Sequence, residues 1–356
     1  MKILQVNHQR HVFGEDDRFI STCFQQGAMP GAKVSDTIRL TMELLSVLVS
    51  PKKFDYVILR CLGPIYSGWS ITGAMKRVLR LLLYLVAVKH KLQKSRLAIL
   101  DHTDHVTIHR ADKKLLKLCD IYFKRELARN AWNTFECVLP RGRCIEHATE
   151  NLFGYHQLTT KLRPISLGIH TGINDIRHER KYDFFYAGLD RGIYERMEIR
   201  YALQTMKEMG YRVFLPREMM TQEEFAEAIA STWFCPSPMG CGWDCYRHYE
   251  IIANGSLPLL SAPAIKAYHP PGCHNDTGIS LDYEGDLMAQ LIDCLSIPVE
   301  YRLEMIGNAQ NLVKAHHTFP ALGDYMVHQV EELIDAETVT VAEPAAVRPR
   351  KFSTIG

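Results

Sequence analysis

Apolar residues fall along this chain in short runs separated by stretches of helical length. K-I-L-Q-V at 2–6 opens the series, residues 54–59 and 96–100 continue it, and shorter runs stand at 121–123 and 136–139. These runs are apolar throughout rather than alternating, which is the pattern of parallel strands covered on both faces. Between them, 36–49 and 70–93 carry apolar residues at helical spacing, and 111–118 predicts a shorter helix. The rhythm breaks over 140–180, where prolines, glycines and the charge run R-H-E-R-K ending at Lys181 predict an interdomain connection. It restarts with strands at 182–187, 211–215, 232–235, 257–260 and 278–281, and helices at 194–209, 285–295 and 298–316. Thr221 with Glu224 predicts a capping box at the start of one more helix. A last helix at 324–334 precedes a polar, proline-containing tail over 336–356 that is expected to be flexible.

This order predicts two α/β domains in series, 1–165 and 166–319, with the helix at 320–335 returning to the first. A chain of 356 residues suits two domains, and 47% hydrophobic residues supply two cores. The formal charge of +2 gives no general reason for a nucleic-acid partner, although a local basic patch is compatible with it. Ten cysteines lie mostly within apolar segments and follow no secretory signal, so they read as reduced thiols of a cytoplasmic protein. Val78–Val88 is the most membrane-like stretch, but Arg80 interrupts it and it falls short of the ~20 residues needed to span. A buried helix is the expectation there, ahead of an interfacial one.

In a parallel sheet, ligands bind outside the carboxyl ends of the strands. The first strand leads into N-H-Q-R-H rather than G-x-G-x-x-G, and G-K-[ST] does not occur, so the dehydrogenase and P-loop readings weaken. Trp233–Leu260 instead reads as strand, glycine-bearing loop, helix start and strand. Gly240 and Gly242 would let backbone approach a phosphate, and a helix N-terminus attracts one. Arg247 and Glu250, three residues apart, share a helix face; the arginine suits a diphosphate and the acid suits sugar or ribose hydroxyls. An Arg247 salt bridge to Glu250 or Asp244 is the structural alternative. In the first half, D-H-T-D-H at 101–105 leaves a strand end, so Asp101, His102, Asp104 and His105 are candidate bases. The loop at 7–17, with His8, Arg10, His11, Glu15 and Asp16, offers acceptor contacts.

The second half resembles the donor-binding domain of GT-B glycosyltransferases, of the exostosin-like and glycosyl transferases group 1 type. K-Y-D-F-F-Y-A-G-L at 181–189, the helix and strand over 220–238, and the glycine, R-x-x-E and G-x-x-P elements over 239–260 follow that family's order. C-D-I-Y-F-K-R-E-L at 119–127 is similar to a segment of its first domain. The resemblance implies a GT-B fold, two Rossmann-like domains with parallel sheets facing a central cleft. It also implies hexosyl or pentosyl transfer from a nucleotide-diphosphate sugar, with UDP a candidate carrier, to a hydroxyl on a glycan, small molecule or modified DNA base. Arg247 with Gly240 and Gly242 would then hold the diphosphate and Glu250 the ribose. Arg196 would add charge, Trp243 would stack on base or sugar, and Asp101 or His102 would supply the base. Retaining members carry glutamates eight positions apart; eight before Glu250 stands Gly242, so that feature is absent.

No cofactor is expected and a metal is not required, since arginines and helix dipoles serve the diphosphate in many such proteins. The 101–105 cluster lacks an obvious second ligand set, and the spacing of Cys235, Cys241 and Cys245 is not that of a zinc knuckle. Two other classes remain open. One is a non-enzymatic nucleotide or sugar binder. The other is a DNA-modifying transferase, for which Arg60, Lys76, Arg77, Arg80, Lys89, Lys91, Lys94 and Arg96 would form the basic groove.

Overall fold

The computed structural model of the chain describes residues 2–7, 19–23, 34–61, 73–108, 112–135, 137–138, 145–146, 152–169, 172–188, 193–240, 242–272 and 276–342. The 8–18 loop, Cys241, Cys273, His274 and the tail beyond Ala342 lie outside the described residues.

The first sheet contains β1 (Ile3–Asn7), β2 (Phe19–Cys23), β3 (Tyr56–Arg60), β4 (Arg96–Asp101) and β5 (Ile121–Lys124). Helices α1 (Val34–Val49), α2 (Gly73–Leu92) and α3 (Lys113–Leu118) connect them. Beyond a short antiparallel ribbon of β6 (Cys137–Val138) and β7 (Ile145–Glu146), α4 (Leu152–Thr159) leads to the last strand, β8 (Leu162–Pro164). The order is β2-β1-β3-β4-β5-β8 and every pairing is parallel. Alternate residues divide between two cores, as the pleat requires. Val57, Leu59, Leu97 and Ile99 face α1 and α2, while Ile58, Ala98 and Leu100 face the opposite side.

The second sheet, ordered β10-β9-β11-β12-β13, is also parallel. Its strands are β9 (Tyr182–Phe185), β10 (Val213–Phe214), β11 (Thr232–Ser237), β12 (Leu257–Ser261) and β13 (Ile279–Leu281). Helices α5 (Tyr194–Glu208), α6 (Gln222–Ala230), α7 (Tyr246–Ala253), α8 (Leu287–Ser296) and α9 (Val299–His316) cover it. The Thr221 capping box forms, with hydroxyl and Glu224 carboxylate bonding reciprocally. Finally α10 (Phe319–Ala342) crosses back, and its Leu322, Met326, Val327 and Val330 fill the open face of the first sheet.

The expected interdomain connection is shorter than 140–180. Helix α4 and strand β8 belong to the first domain; β8 is a three-residue edge strand ending in Pro164, too brief and polar to show periodicity. The crossing proper lies beside the start of α10: Ile169 bridges Thr318, and Gly168 (φ +71°) leaves room where a Cβ would stand 2.8 Å from the His317 carbonyl. Helix α10 continues through residues 336–342, where the tail was expected to begin.

Candidate functional site

At the carboxyl end of the first sheet, register places Asp101 opposite Lys124. Both side chains are buried and their ion pair is 3.0 Å long. Asp101 also accepts from the Tyr122 hydroxyl at 2.8 Å, and from the Thr103 hydroxyl at 2.7 Å and amide at 3.0 Å. Burial alone would raise its pKa, but Lys124, Thr103 and Tyr122 together hold it below the usual carboxylate value. A carboxylate so fully bonded is an anchor for the strand ends rather than an available base. His102, next along, is half-buried, Asp104 pairs with Arg125, and His105 is exposed.

Across from this cluster, β11 ends at Ser237 and the glycine loop leads into α7. The loop is bound to the first domain by Glu126, whose two carboxylate oxygens accept from the backbone amides of Trp243 and Asp244, each at 3.0 Å. A Cβ on Gly242 would stand 2.6 Å from that carboxylate and 2.9 Å from Arg125. Gly242 therefore admits a carboxylate of this same chain, which corrects the expectation that it admits a pyrophosphate. Burial raises the Glu126 pKa, with Arg125 and the two amides opposing. Asp244 continues the contact toward the crossing, accepting from the Leu167 amide at 2.8 Å and from the Tyr249 hydroxyl.

The expected stacking role of Trp243 does not fit its surroundings. Its ring is buried against Leu260 and Ile265, and its indole nitrogen donates to the Ser261 carbonyl at 2.8 Å. No open face is left for a base. Arg196 does reach the loop: its Nε donates to the Met239 carbonyl at 3.2 Å, and its Nη2 would stand 3.0 Å from a Cβ on Gly240. His248, on the inner face of α7, bonds the Trp243 carbonyl at 2.7 Å and the Ser237 hydroxyl at 2.8 Å, with the Cys245 thiol at 3.5 Å. Although burial opposes both charges, each partner favours the other, lowering the Cys245 pKa and raising that of His248.

Arg247 and Glu250 lie together on the opposite side of α7, both half-buried. The Arg247 guanidinium stands over the Phe225 ring at 5.7 Å, between the first turns of α6 and α7, and its Nε is buried with no hydrogen-bond partner among the described residues. Burial raises the Glu250 pKa, with Arg247 as the offsetting charge. Both helices begin at the carboxyl ends of strands, so this pair occupies the rim where such sheets receive ligands. No group of three or more His, Cys, Asp or Glu side chains among the described residues is arranged to hold a metal.

Arg125 and Glu126 are not among the expected site residues, although K-R-E directly after the apolar I-Y-F is a signal for charge at a strand end. The proposed basic groove is divided: Arg77 and Arg80 belong to the first half of α2, Lys89 and Lys91 to its last turn, and Lys94 and Arg96 lie beyond it, Arg96 opening β4. At 1.5 Å per residue, Arg77 and Lys91 stand roughly 20 Å apart along the helix axis. Lys91 is moreover paired with Asp120 at 2.6 Å.

No protein-family model matches the sequence, and no curated protein matches it either. Solved structures do match in fold. An alpha-glucosyltransferase (AGT) in complex with UDP has a TM-score of 0.54 at 10% identity, covering 93% of this chain and 100% of that one. Anabaena HepE in complex with UDP-glucose gives 0.48 at 10% identity, over 93% and 100% of the two chains. An alpha-glucosyltransferase in complex with UDP and a 13-mer DNA gives 0.49 at 10% identity, over 89% and 96%. The protein has the GT-B fold, with two Rossmann-like domains facing a cleft.

Proposed function

We propose that this protein transfers a sugar from a nucleotide-diphosphate donor to a hydroxyl acceptor. The carrying observation is the Arg247–Glu250 pair, withdrawn from water at the strand-end rim, with a buried Arg247 donor that nothing among the described residues accepts. A diphosphate would receive Arg247, Arg196 and the uncapped first turn of α7, and Glu250 would accept from ribose hydroxyls. As the bond from the anomeric carbon to the diphosphate oxygen breaks, these groups stabilise the leaving charge. The acceptor oxygen bonds to the anomeric carbon and its proton passes to a base, for which His102 is our first choice. Asp101, saturated with partners, holds the strand end from which His102 projects. Glu126 keeps the loop against the first domain.

Calorimetry with UDP, GDP, dTDP and ADP tests the donor half. Glu250→Ala should weaken the bound nucleotide by about tenfold to a hundredfold while the melting temperature is kept. Unchanged affinity removes Glu250 from the site, and no binding of any nucleotide overturns the reading. Transfer is then assayed on glycans, small hydroxylated compounds and DNA carrying hydroxymethylated bases. The last belong in the panel because an alpha-glucosyltransferase of this fold has been solved with DNA bound.

A further inference from the structure

The helices on the outer side of the first sheet are apolar on faces that they do not bury. On α1, Ile38, Met42, Leu45 and Val49 recur at helical spacing and are exposed, Met42 by 62% and Val49 by 78%. On α2, Val78, Leu81, Leu85 and Leu92 do the same, Leu92 by 80%. Both helices already commit another face to the core, through Leu40, Leu44 and Val47 on α1 and Leu79, Leu83 and Val86 on α2. They pack against each other on one side of the sheet, so the two exposed stripes look outward together. The other exposed side chains described on these helices are Ser46, Arg77 and Lys91; none is a carboxylate. Monomeric surfaces seldom leave apolar stripes of this extent uncovered.

We propose that this face is a docking surface for an anionic lipid bilayer. The charges around it select that occupant. Lys52 and Lys53 follow the end of α1, Lys94 follows the end of α2, and Arg77 marks its other end; all are exposed, and Lys91 beside Lys94 is already paired with Asp120. Lysines and arginines at the margins of an apolar stripe can lay their stems along it and present their charge to headgroup phosphates. A second copy on the same face would set these cations against one another, while an anionic surface complements them. No described helix is long and apolar enough to cross a membrane. Helices α1 and α2 would lie in the interface plane with their stripes in the acyl boundary. The docking does not depend on the transfer reaction.

The test is flotation of the full-length protein with vesicles of phosphatidylcholine alone or of equimolar phosphatidylcholine and phosphatidylglycerol. Binding is expected to the anionic vesicles, weaker at high salt, and roughly tenfold or more weaker for Leu81→Glu with Leu85→Glu. Those positions are exposed, so the melting temperature should hold. Lys52→Glu with Lys53→Glu, outside both helices, should give a smaller loss in the same direction and keeps the test decisive if the helix variant fails to fold. Absence of binding, or equal binding to neutral and anionic vesicles, overturns the proposal. So does a dimer in lipid-free sedimentation that Leu81→Glu dissolves, which would assign the face to a second copy.

Discussion

Asp101 in the first domain and Glu250 in the second are both withdrawn from water, yet their surroundings act on them in opposite directions. Asp101 receives an ammonium, two hydroxyls and an amide, and its pKa falls. Glu250 has the arginine one turn back to offset its burial, and its pKa rises. A carboxylate whose acceptor sites are filled from within the chain has structural work; one beside an arginine whose buried Nε has no partner among the described residues is where we propose the ligand. The same contrast separates Glu126, which fills both oxygens with amides of the glycine loop, from Arg247, whose buried Nε has no acceptor among the described residues.

The largest effect should come from breaking the first side of this contrast. Asp101→Ala leaves Lys124 buried without its counter-charge and should cost about 3–5 kcal/mol of folding stability, read from urea unfolding. A loss under about 1 kcal/mol would show that the strand-end ion pair anchors nothing. Because the folded pKa of Asp101 is depressed, its contribution is present above the unfolded carboxylate value of about 3.9 and is lost as pH falls through the lower folded value.

On the other side, Arg247→Ala should lower turnover by about a hundredfold or more and nucleotide affinity by less, because it acts on charge that develops as the diphosphate leaves. Normal turnover with reduced nucleotide affinity would place it in uniform binding instead. The fold should be unaffected, in contrast to Asp101.

An intermediate effect is expected at the seam. Gly242→Ala drives a methyl to within 2.6 Å of the Glu126 carboxylate and should cost roughly 1–3 kcal/mol. Hydrogen exchange should show the Trp243 and Asp244 amides exposed earlier than in the parent. If the glycine instead serves an incoming phosphate, Gly242→Ala would weaken nucleotide binding and leave those amides protected.

The smallest effect is on pH. The folded pKa of Glu250 is raised, so its favourable contribution is complete below the unfolded value and disappears as pH rises through the folded one. Glu250→Gln should therefore match or slightly exceed the parent in melting temperature at neutral pH. A clear fall in melting temperature would mean that the carboxylate is structural after all and would dissolve the contrast with Asp101.

Legibility from sequence followed length and local chemistry. The long apolar runs of β3 and β4 and the periodic helices α1, α2, α5 and α9 were readable, as was the Thr221 cap, because each signal is contained within a few turns of chain. Strand β8 was not, since three residues ending in proline carry no period and are defined by their neighbour β5. Trp243 illustrates the same limit within the site. Its place beside a glycine loop suggested stacking, and only its packing against Leu260 and Ile265 reveals a core residue.

By itself the sequence determined the alternation that makes two parallel sheets and the spacing that puts Arg247 and Glu250 on one face of a helix, because both are properties of local periodicity. The tertiary structure decided which charges are already answered. That Glu126 reaches the amides of Trp243 and Asp244, more than a hundred residues away, is set by how the two domains meet. That the stripes of α1 and α2 face outward rather than into a core is likewise set by which sides of those helices the first sheet covers. Periodicity can declare a helix face apolar, but whether anything covers it depends on contacts between segments that the local pattern does not encode.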